Sequence, residues 1–148
     1  MSISKKLLGL TTAGLLTVAM SSQVMAHGDV VPQSIDVTGL QPLGQEWLEE
    51  NPYRGKENEN YAEAVRIGDS AYNQNCARCH GLEAISGGIA PDLRELKPGI
   101  EGDEWYVYRV VNGAVRDGRV YMPKMAEHLS QEALWAIRAW LETRAETE

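Results

Sequence analysis

The stretch Cys76-Ala77-Arg78-Cys79-His80 decides the expected fold, because it holds both cysteines of the 148-residue chain. Two thiols separated by two residues are spaced to reach the two vinyl groups on one porphyrin edge. The adjacent imidazole is then placed to ligate the iron. The stretch therefore predicts one covalently bound haem c, with Cys76 and Cys79 as its attachment points and His80 as an axial ligand of its iron.

Three other uses of these residues remain open at this point. A thioredoxin-like dithiol has the same cysteine spacing, but it follows a strand, and no strand pattern precedes Cys76. A structural zinc site takes four ligands, and only His27 and His128 remain beyond this motif. A disulfide that closes so short a loop would add little stability.

The second axial ligand is sought among the methionines, because a thioether ligand raises the reduction potential of electron-carrying haems. Outside residues 1–26, methionine occurs only at Met122 and Met125. Pro123 imposes an extended backbone on Met122, which favours Met122 as the ligand. Met125 is the second candidate, with packing against the haem as its other role. His128 is a third candidate and would give a bis-imidazole site.

Whether a protein side chain occupies the sixth coordination position of the haem iron decides the class of function. Iron that is ligated on both sides cannot bind substrate, so the chain is predicted to be a one-electron carrier without catalytic residues and not an enzyme. An open sixth position would instead suit a haem enzyme or a gas-binding domain. A thiol–disulfide oxidoreductase is a further alternative, in which no haem is attached.

Helical patterns flank the haem motif on both sides. The first helix is expected to begin at Asn60, with Glu63 three residues later forming a capping box. The last helix is expected to begin after Ser130, a favourable N-cap residue, with Glu132 in its first turn. The apolar face of this last helix is formed by Leu134, Ile137 and Leu141, flanked by Trp140.

The segment between these helices is rich in glycine and proline. Residues 81–102 are predicted to be mostly loop, with a helical turn at 93–96. Residues 104–112 predict a short helix that ends at Gly113. No run of alternating strand residues is present, so the sequence predicts an all-α fold of short helices and long loops around one haem.

The N-terminal part of the chain has a different composition. Residues 1–26 contain Lys5 and Lys6, an uncharged apolar run and the small-residue pattern Val24-Met25-Ala26, which together predict a cleaved secretory signal peptide. The apolar run is shorter than the roughly 20 residues that span a bilayer. An uncleaved anchor is the alternative. Export to the periplasm, with no membrane anchor after cleavage, is the expectation.

Two further regions follow the predicted signal peptide. Residues 27–60 contain three prolines and no sustained helical period, which predicts an extended N-terminal arm laid over the domain by Trp47, Leu48 and Tyr53. Residues 54–60 at its end are expected to form a solvated turn. Residues 61–148 are then the haem domain.

The charge of the chain is strongly acidic. The formal net charge is −7, and without residues 1–26 the 12 remaining basic residues face 21 acidic ones, giving −9. Such a surface repels nucleic acid and anionic membranes and favours a partner with a positive docking face. A monomer is expected.

Residues 61–144 resemble the class I cytochromes c. Gly68 and Tyr72 stand eight and four residues before Cys76, where that family has a small residue and an aromatic, and Trp140-Leu141 resembles its aromatic-Leu pair. The resemblance implies the class I cytochrome c fold, with the two terminal helices crossing closely at Gly68. It also implies that the carbonyl of Pro91 accepts a hydrogen bond from the His80 ring, which would fix the orientation of that ligand.

The sequence after residue 26 resembles more narrowly the periplasmic cytochromes c that serve quinoprotein ethanol dehydrogenase. The similar stretches include Gly39-Leu40-Gln41-Pro42-Leu43-Gly44 and Trp47-Leu48-Glu49-Glu50-Asn51-Pro52-Tyr53. This resemblance implies a donor that contains pyrroloquinoline quinone (PQQ), an alcohol dehydrogenase. It implies a terminal oxidase or another cytochrome as the acceptor.

Overall fold

The computed structural model describes residues 31–146, so the predicted signal peptide lies outside the described residues. The helices are α1 (Tyr61–Asn75), α2 (Ala77–His80), α3 (Gly99–Asn112) and α4 (Gln131–Glu142), and a hairpin is formed by β1 (Ala114–Arg116) and β2 (Arg119–Met122). Short 3-10 turns occur at Leu82–Ala84, Leu93–Glu95 and Met125–Glu127. Among the described residues, no helix has the length and apolarity to cross a bilayer.

Helices α1 and α4 cross at Gly68, as the resemblance implied. A Cβ at Gly68 would collide with the carbonyl oxygen of Ala136 and lie 2.9 Å from the Cβ of Trp140. The rings of Tyr72 and Trp140 pack beside this point, with centroids 4.4 Å apart. Only glycine permits so close an approach of the two backbones.

Helix α4 is the centre of the core. The predicted cap is present, because Ser130 Oγ accepts a hydrogen bond from the Ala133 amide at 3.3 Å. Residues 133–141 are all buried, including the predicted face of Leu134, Ile137 and Leu141. The burial extends around the whole helix because the N-terminal arm covers the side that α1 leaves open.

The predicted capping box of α1 is wrong, although the helix begins where it was expected. Asn60 is at the N-cap position but makes no side-chain cap. Its side-chain oxygen instead accepts a hydrogen bond from the Gln41 amide at 3.1 Å. Glu63 pairs with Arg66 on the helix surface at 2.6 Å. Both side chains thus bond away from the helix amides that a capping box would satisfy.

The prediction for the following segment is correct at the turn and wrong at the helix start. The turn Leu93–Glu95 is present, but α3 begins at Gly99, five residues earlier than predicted. Glycines at 99 and 102 had suggested a loop. At Gly102, however, a Cβ would collide with the carbonyl oxygen of Lys97 and approach Arg138 Nη2 to 2.6 Å. Gly102 therefore serves close packing inside a helix.

The absence of strands was also predicted wrongly, since β1 and β2 pair as an antiparallel hairpin. Asp117 and Gly118 form its loop with φ values of +49° and +73°. Positive φ at both loop residues is the geometry of a type I′ turn, which Asp-Gly favours. The strands are only three and four residues long, too short to show a convincing alternation. The fold is otherwise helical.

Arg54 does not lie in a solvated turn, which corrects a further expectation. Its guanidinium pairs with the fully buried carboxylate of Asp103, and its Nε donates to Glu142 Oε1 at 3.0 Å. Asp103 also accepts from Arg138 Nε at 2.8 Å and from the Asn51 amide at 2.9 Å. A buried charge is stable only when it is paired, so these bonds attach the arm to α3 and α4.

The arm covers α4 through the residues around Trp47 and Tyr53. Tyr53 is 1 % exposed, and its hydroxyl donates to the Gln41 carbonyl at 2.8 Å. The Trp47 ring lies edge-on to Trp135 at 6.4 Å. Leu48 contributes through its backbone, because its side chain is 37 % exposed while its amide donates to the Gln131 side chain at 2.8 Å.

Candidate haem site

The residues of the Cys76–His80 motif occupy a single helical turn. Helix α1 ends at Asn75, and Cys76 is both the last cap of α1 and the first cap of α2. The amides of Cys79 and His80 donate to the Cys76 carbonyl at 3.1 and 3.0 Å. Residues three and four positions apart share one side of a helix. The turn therefore presents both thiols and the imidazole on the same side.

The two thiols are not bonded to each other. Burial, with the neighbouring Cys79 as a smaller cause, raises the pKa of Cys76 to about 12. Although Cys76 is only partly buried as a residue, its sulfur is thus poorly solvated. Dithiol oxidoreductases need the opposite, a lowered thiol pKa that supplies the thiolate nucleophile. The burial of Cys76 thus gives no support to the thiol–disulfide oxidoreductase alternative.

His80 is held in a defined orientation by the loop that follows it. Its Nδ1 lies 2.9 Å from the carbonyl oxygen of Pro91, which is the contact that the resemblance implied. Because a carbonyl only accepts, Nδ1 carries the proton, and the neutral ring then has its lone pair on Nε2. The ring is thus in the tautomer that a metal ligand requires.

The loop that carries Pro91 is fixed by Asp92. This carboxylate accepts hydrogen bonds from the amides of Ser86 at 3.1 Å and Arg94 at 3.0 Å, and from the Arg94 side chain at 2.9 Å. The bond from the Arg94 guanidinium holds the pKa of Asp92 well below its usual range. At the other end of the loop, the Tyr72 hydroxyl donates to the Gly81 carbonyl at 2.7 Å.

The two candidate methionines lie in different environments. Met122 is the last residue of β2 and is half-buried against the core. Met125 is only 4 % exposed and forms part of the core. His128 lies on the surface. A core position suits the packing role that was considered for Met125, whereas the choice of Met122 as ligand stays a prediction.

Exposed apolar side chains are concentrated in one part of the described chain, and this distribution tests whether a haem fits. Large apolar residues are buried or half-buried throughout residues 61–80 and 125–141. Between them, nine are exposed: Leu82, Ile85, Ile89, Ile100, Trp105, Tyr108, Val115, Val120 and Tyr121. Exposed apolar side chains that cluster mark ligand or partner sites. Their concentration in the segments that follow the motif along the chain is compatible with an apolar porphyrin bonded to Cys76 and Cys79.

Other ligand sets are not assembled in the described part of the chain. Within residues 31–146, no three histidine, cysteine or carboxylate side chains are grouped for a metal ion. The zinc interpretation therefore gains no support there. The donor set that is present, two thiols and an imidazole of fixed tautomer, suits haem c.

Residues that sequence reasoning missed support the site from outside the motif. The roles of Asp92 and Ser86 in bracing the loop had no sequence signal. Arg109 lies over the rings of Trp105 and Tyr108, at 5.0 and 5.4 Å from their centroids. The sequence offered a signal for this contact, because Trp105 precedes Arg109 by four residues and Tyr108 by one. The Asp117-Gly118 pair was the available signal for the hairpin that carries Met122.

Comparison with known proteins agrees with this geometry. Residues 63–141 match the family described as cytochrome C oxidase, cbb3-type, subunit III. The chain is 65% identical over 133 residues to cytochrome c550 of Pseudomonas aeruginosa, a match that covers 88% of this chain and 91% of that protein. No solved structure matches significantly.

More distant similarity links the haem domain to two larger enzymes. The chain is 35% identical over 82 residues to the quinohemoprotein alcohol dehydrogenase ADH-IIG of Pseudomonas putida and 33% identical over 82 residues to ADH IIB. Each match covers 55% of this chain and 11% of the dehydrogenase. The matched part of the chain thus corresponds to a small part of those enzymes. The chain belongs to the class I cytochromes c, which carry electrons and are not enzymes.

Proposed function

We propose that this chain is a periplasmic mono-haem cytochrome c that accepts single electrons from a PQQ-dependent alcohol dehydrogenase. It passes them to a terminal oxidase or another cytochrome. The observation that carries the proposal is the helical turn of Cys76, Cys79 and His80, with the His80 ring oriented by Pro91 at 2.9 Å. Residues 1–26 are proposed to direct export and to be removed.

The chain holds one haem c in this proposal, because it has only two cysteines. Cys76 and Cys79 would form the thioether bonds, and His80 Nε2 and the Met122 sulfur would ligate the iron. When bound, haem c supplies a one-electron ferric–ferrous couple. His80 is kept in position by Pro91, and Met122 by the end of β2.

The exclusion of water and substrate from the iron follows from these two ligands. Ligation by both His80 and Met122 would leave the iron no free site for substrate, and the haem would then only exchange electrons with a partner. A thioether ligand favours the ferrous state and raises the reduction potential. These properties suit an acceptor for electrons from a quinone cofactor.

The proposed donor is supported by the distant relatives. Two quinohemoprotein alcohol dehydrogenases contain, within one polypeptide, a segment similar to this haem domain. A fused arrangement of that kind shows that such a domain is compatible with a quinone-dependent alcohol dehydrogenase. We propose that the same transfer occurs here between separate proteins.

A stopped-flow experiment tests the donor. Purified PQQ alcohol dehydrogenase, reduced with ethanol, is mixed with the ferric holoprotein, and the ferrous absorption bands are followed. Rapid reduction at micromolar dehydrogenase is expected. Reduction no faster than that of an unrelated class I cytochrome c of similar potential would contradict the proposed donor.

A pair of variants tests the axial ligand. Met122→Leu should lose the sixth ligand, abolish the weak red-end absorption band of ferric Met-ligated haem and lower the reduction potential. Met125→Leu is the matched control, because it replaces a core methionine with a residue of similar volume at a cost below about 1.5 kcal/mol. Equal potentials for the two variants would refute the choice of Met122.

A further inference from the structure

The segment that carries Met122 has a charge opposite to that of the whole chain. Residues 105–124 contain four basic residues and one acidic residue, a net charge of +3, in a protein of net charge −7. The basic residues are Arg109, Arg116, Arg119 and Lys124, and the acidic one is Asp117. The end of α3 and the hairpin therefore form a positive region on an acidic molecule.

The arginines of this region differ from most others in their partners. Within residues 31–146, seven basic side chains pair with a carboxylate: Arg54, Arg66, Arg94, Lys97, Lys124, Arg138 and Arg144. Among the same residues, Arg109, Arg116 and Arg119 have no carboxylate within ion-pair distance. Arg109 and Arg116 instead lie over aromatic rings. The positive charge of these arginines is therefore not neutralised by a neighbouring carboxylate.

The hairpin has one apolar face and one basic face. Val115 pairs with Val120 and Arg116 with Arg119 across the two strands. Residues that face each other across a ladder share a side, and successive residues alternate. The Arg116 guanidinium lies 5.5 Å from the centroid of the Tyr121 ring, which places Tyr121 with the arginines. The basic face therefore consists of Arg116, Arg119 and Tyr121.

The arginine pair is unfavourable for folding. Like charges directly opposite each other in a ladder destabilise the pairing, and Asp117 in the intervening loop does not pair with either guanidinium. Arginine and tyrosine are also the residues that are enriched at the energetic centres of protein interfaces. The same face lies on the strand that ends at Met122.

From this arrangement we infer that the basic face of the hairpin is the surface through which electrons are exchanged, and that it fits a redox partner with an acidic docking face. The inference rests on the proposed electron-carrier function and deepens it. It replaces the expectation from net charge that the partner is positive. Local charge at the point of contact governs the encounter, since charges beyond roughly 8–10 Å are screened at physiological salt.

Small charged oxidants test the surface independently of any protein partner. The ferrous holoprotein gives one electron to hexacyanoferrate(III), an anion, or to tris(1,10-phenanthroline)cobalt(III), a cation. The wild type is compared with Arg116→Glu/Arg119→Glu. The control Lys56→Glu/Arg66→Glu makes the same change in total charge at exposed positions in the arm and α1. Arg116→Lys/Arg119→Lys keeps the charge at the hairpin.

At low ionic strength, the hairpin reversal should slow oxidation by hexacyanoferrate about tenfold and accelerate oxidation by the cobalt complex, in line with electrostatic steering. The lysine variant should retain the wild-type rates. Equal effects of the hairpin and control reversals would overturn the inference, because only total charge would then matter. A hairpin reversal that alters the ferric spectrum would also overturn it, because the arginines would then contribute to holding the haem itself.

Reduction by the PQQ alcohol dehydrogenase extends the test to a protein partner. If the wild type is reduced and only the hairpin reversal slows this, the donor docks on the basic face. If the wild type is reduced and the hairpin reversal has no specific effect, the inference is wrong while the proposed donor stands. If the wild type is not reduced, the proposed donor is wrong, and the inorganic oxidants alone decide on the surface.

Discussion

The two halves of this domain differ in how they cover their apolar residues. The α1–α4 pair, together with the arm, buries its large side chains against one another, with Trp135 and Trp140 at most 1 % exposed. The segment 81–124, which contains the loop, α3 and the hairpin, leaves Leu82 72 % and Val120 67 % exposed. One half buries most of its large apolar side chains, whereas the other leaves apolar surface that the proposed haem would cover. We therefore expect segment 81–124 to depend on the haem more than the α1–α4 pair does.

The largest expected effect comes from removal of the haem. Cys76→Ala/Cys79→Ala should lower the free energy of unfolding by more than about 5 kcal/mol, because burial of each large apolar side chain contributes about 1.5–3 kcal/mol. A loss of this size approaches the whole stability of a small domain, so the variant should be largely unfolded. Thermal circular dichroism measures this, with the exposed Arg78→Ala as the control that keeps the haem. A cooperative transition in the double variant would show that segment 81–124 does not depend on haem.

The second effect concerns the charges that join α3 to the α1–α4 pair. Asp103→Ala removes the buried carboxylate that accepts from Arg138 Nε at 2.8 Å and leaves that guanidinium only the longer carboxylate contact, to Glu142 at 3.3 Å. Loss of one member of a buried pair costs about 3–5 kcal/mol. Glu101→Ala is the control on the same helix, because its bond to Lys97 is exposed and such pairs contribute about 0–1 kcal/mol. Denaturant unfolding of the two holoproteins measures the difference. Similar midpoints would mean that the buried pair does not stabilise the junction.

The third effect tests the close crossing inside the α1–α4 pair. Gly68→Ala should lower the free energy of unfolding by about 2 kcal/mol, since an added methyl in a packed core forces the backbone to shift. Gly87→Ala is the matched control, because a Cβ there meets nothing within 4 Å. Unfolding in urea compares the two. A stabilised Gly68→Ala protein would contradict the crossing that the structure shows.

The smallest expected effect is a dependence of stability on pH that arises from Asp92 in segment 81–124. The pKa of Asp92 is lowered by its bond from Arg94, so the folded state binds this proton less readily than the unfolded state. Its stabilisation is therefore present above the ordinary pKa of 3.8 and is lost as the pH falls below that value. Loss of the cap that Asp92 forms costs about 1 kcal/mol.

The thermal midpoint of the wild type should accordingly fall more steeply between pH 5 and pH 3 (a range of about two units around the ordinary Asp pKa) than that of Asp92→Asn. Asp69→Asn, on the surface of α1, is the control and should follow the wild type. Identical slopes for all three proteins would contradict the role of Asp92 in bracing the Pro91 loop.

The difference between the α1–α4 pair and segment 81–124 also explains which features could be predicted from the sequence. The α1–α4 pair has strong local signals, such as the Ser130 cap and the face of Leu134, Ile137 and Leu141, and these were predicted correctly. Segment 81–124 was predicted less well, because Gly99 and Gly102 serve packing in α3 and the hairpin strands are too short for a periodic pattern. The buried network of Arg54, Asp103 and Arg138 joins distant parts of the chain, so no local pattern indicated it.

For the site, the motif predicted the elements that lie together in sequence. Cys76, Cys79 and His80 share one turn of helix, and the position of Pro91 beside the His80 ring was implied by the family resemblance. The bracing of that loop by Asp92 depends on tertiary geometry and was not visible. The basic face of the hairpin was hidden by the negative charge of the whole chain, which averages over regions of opposite sign.

The central claim is that one haem is covalently bound through Cys76 and Cys79. Intact-mass analysis of the purified protein, expressed with c-type cytochrome maturation, tests this most directly. The expected mass is that of the polypeptide plus one haem, and it should persist after denaturation and acid-acetone extraction. A bare polypeptide mass under these conditions would contradict the account.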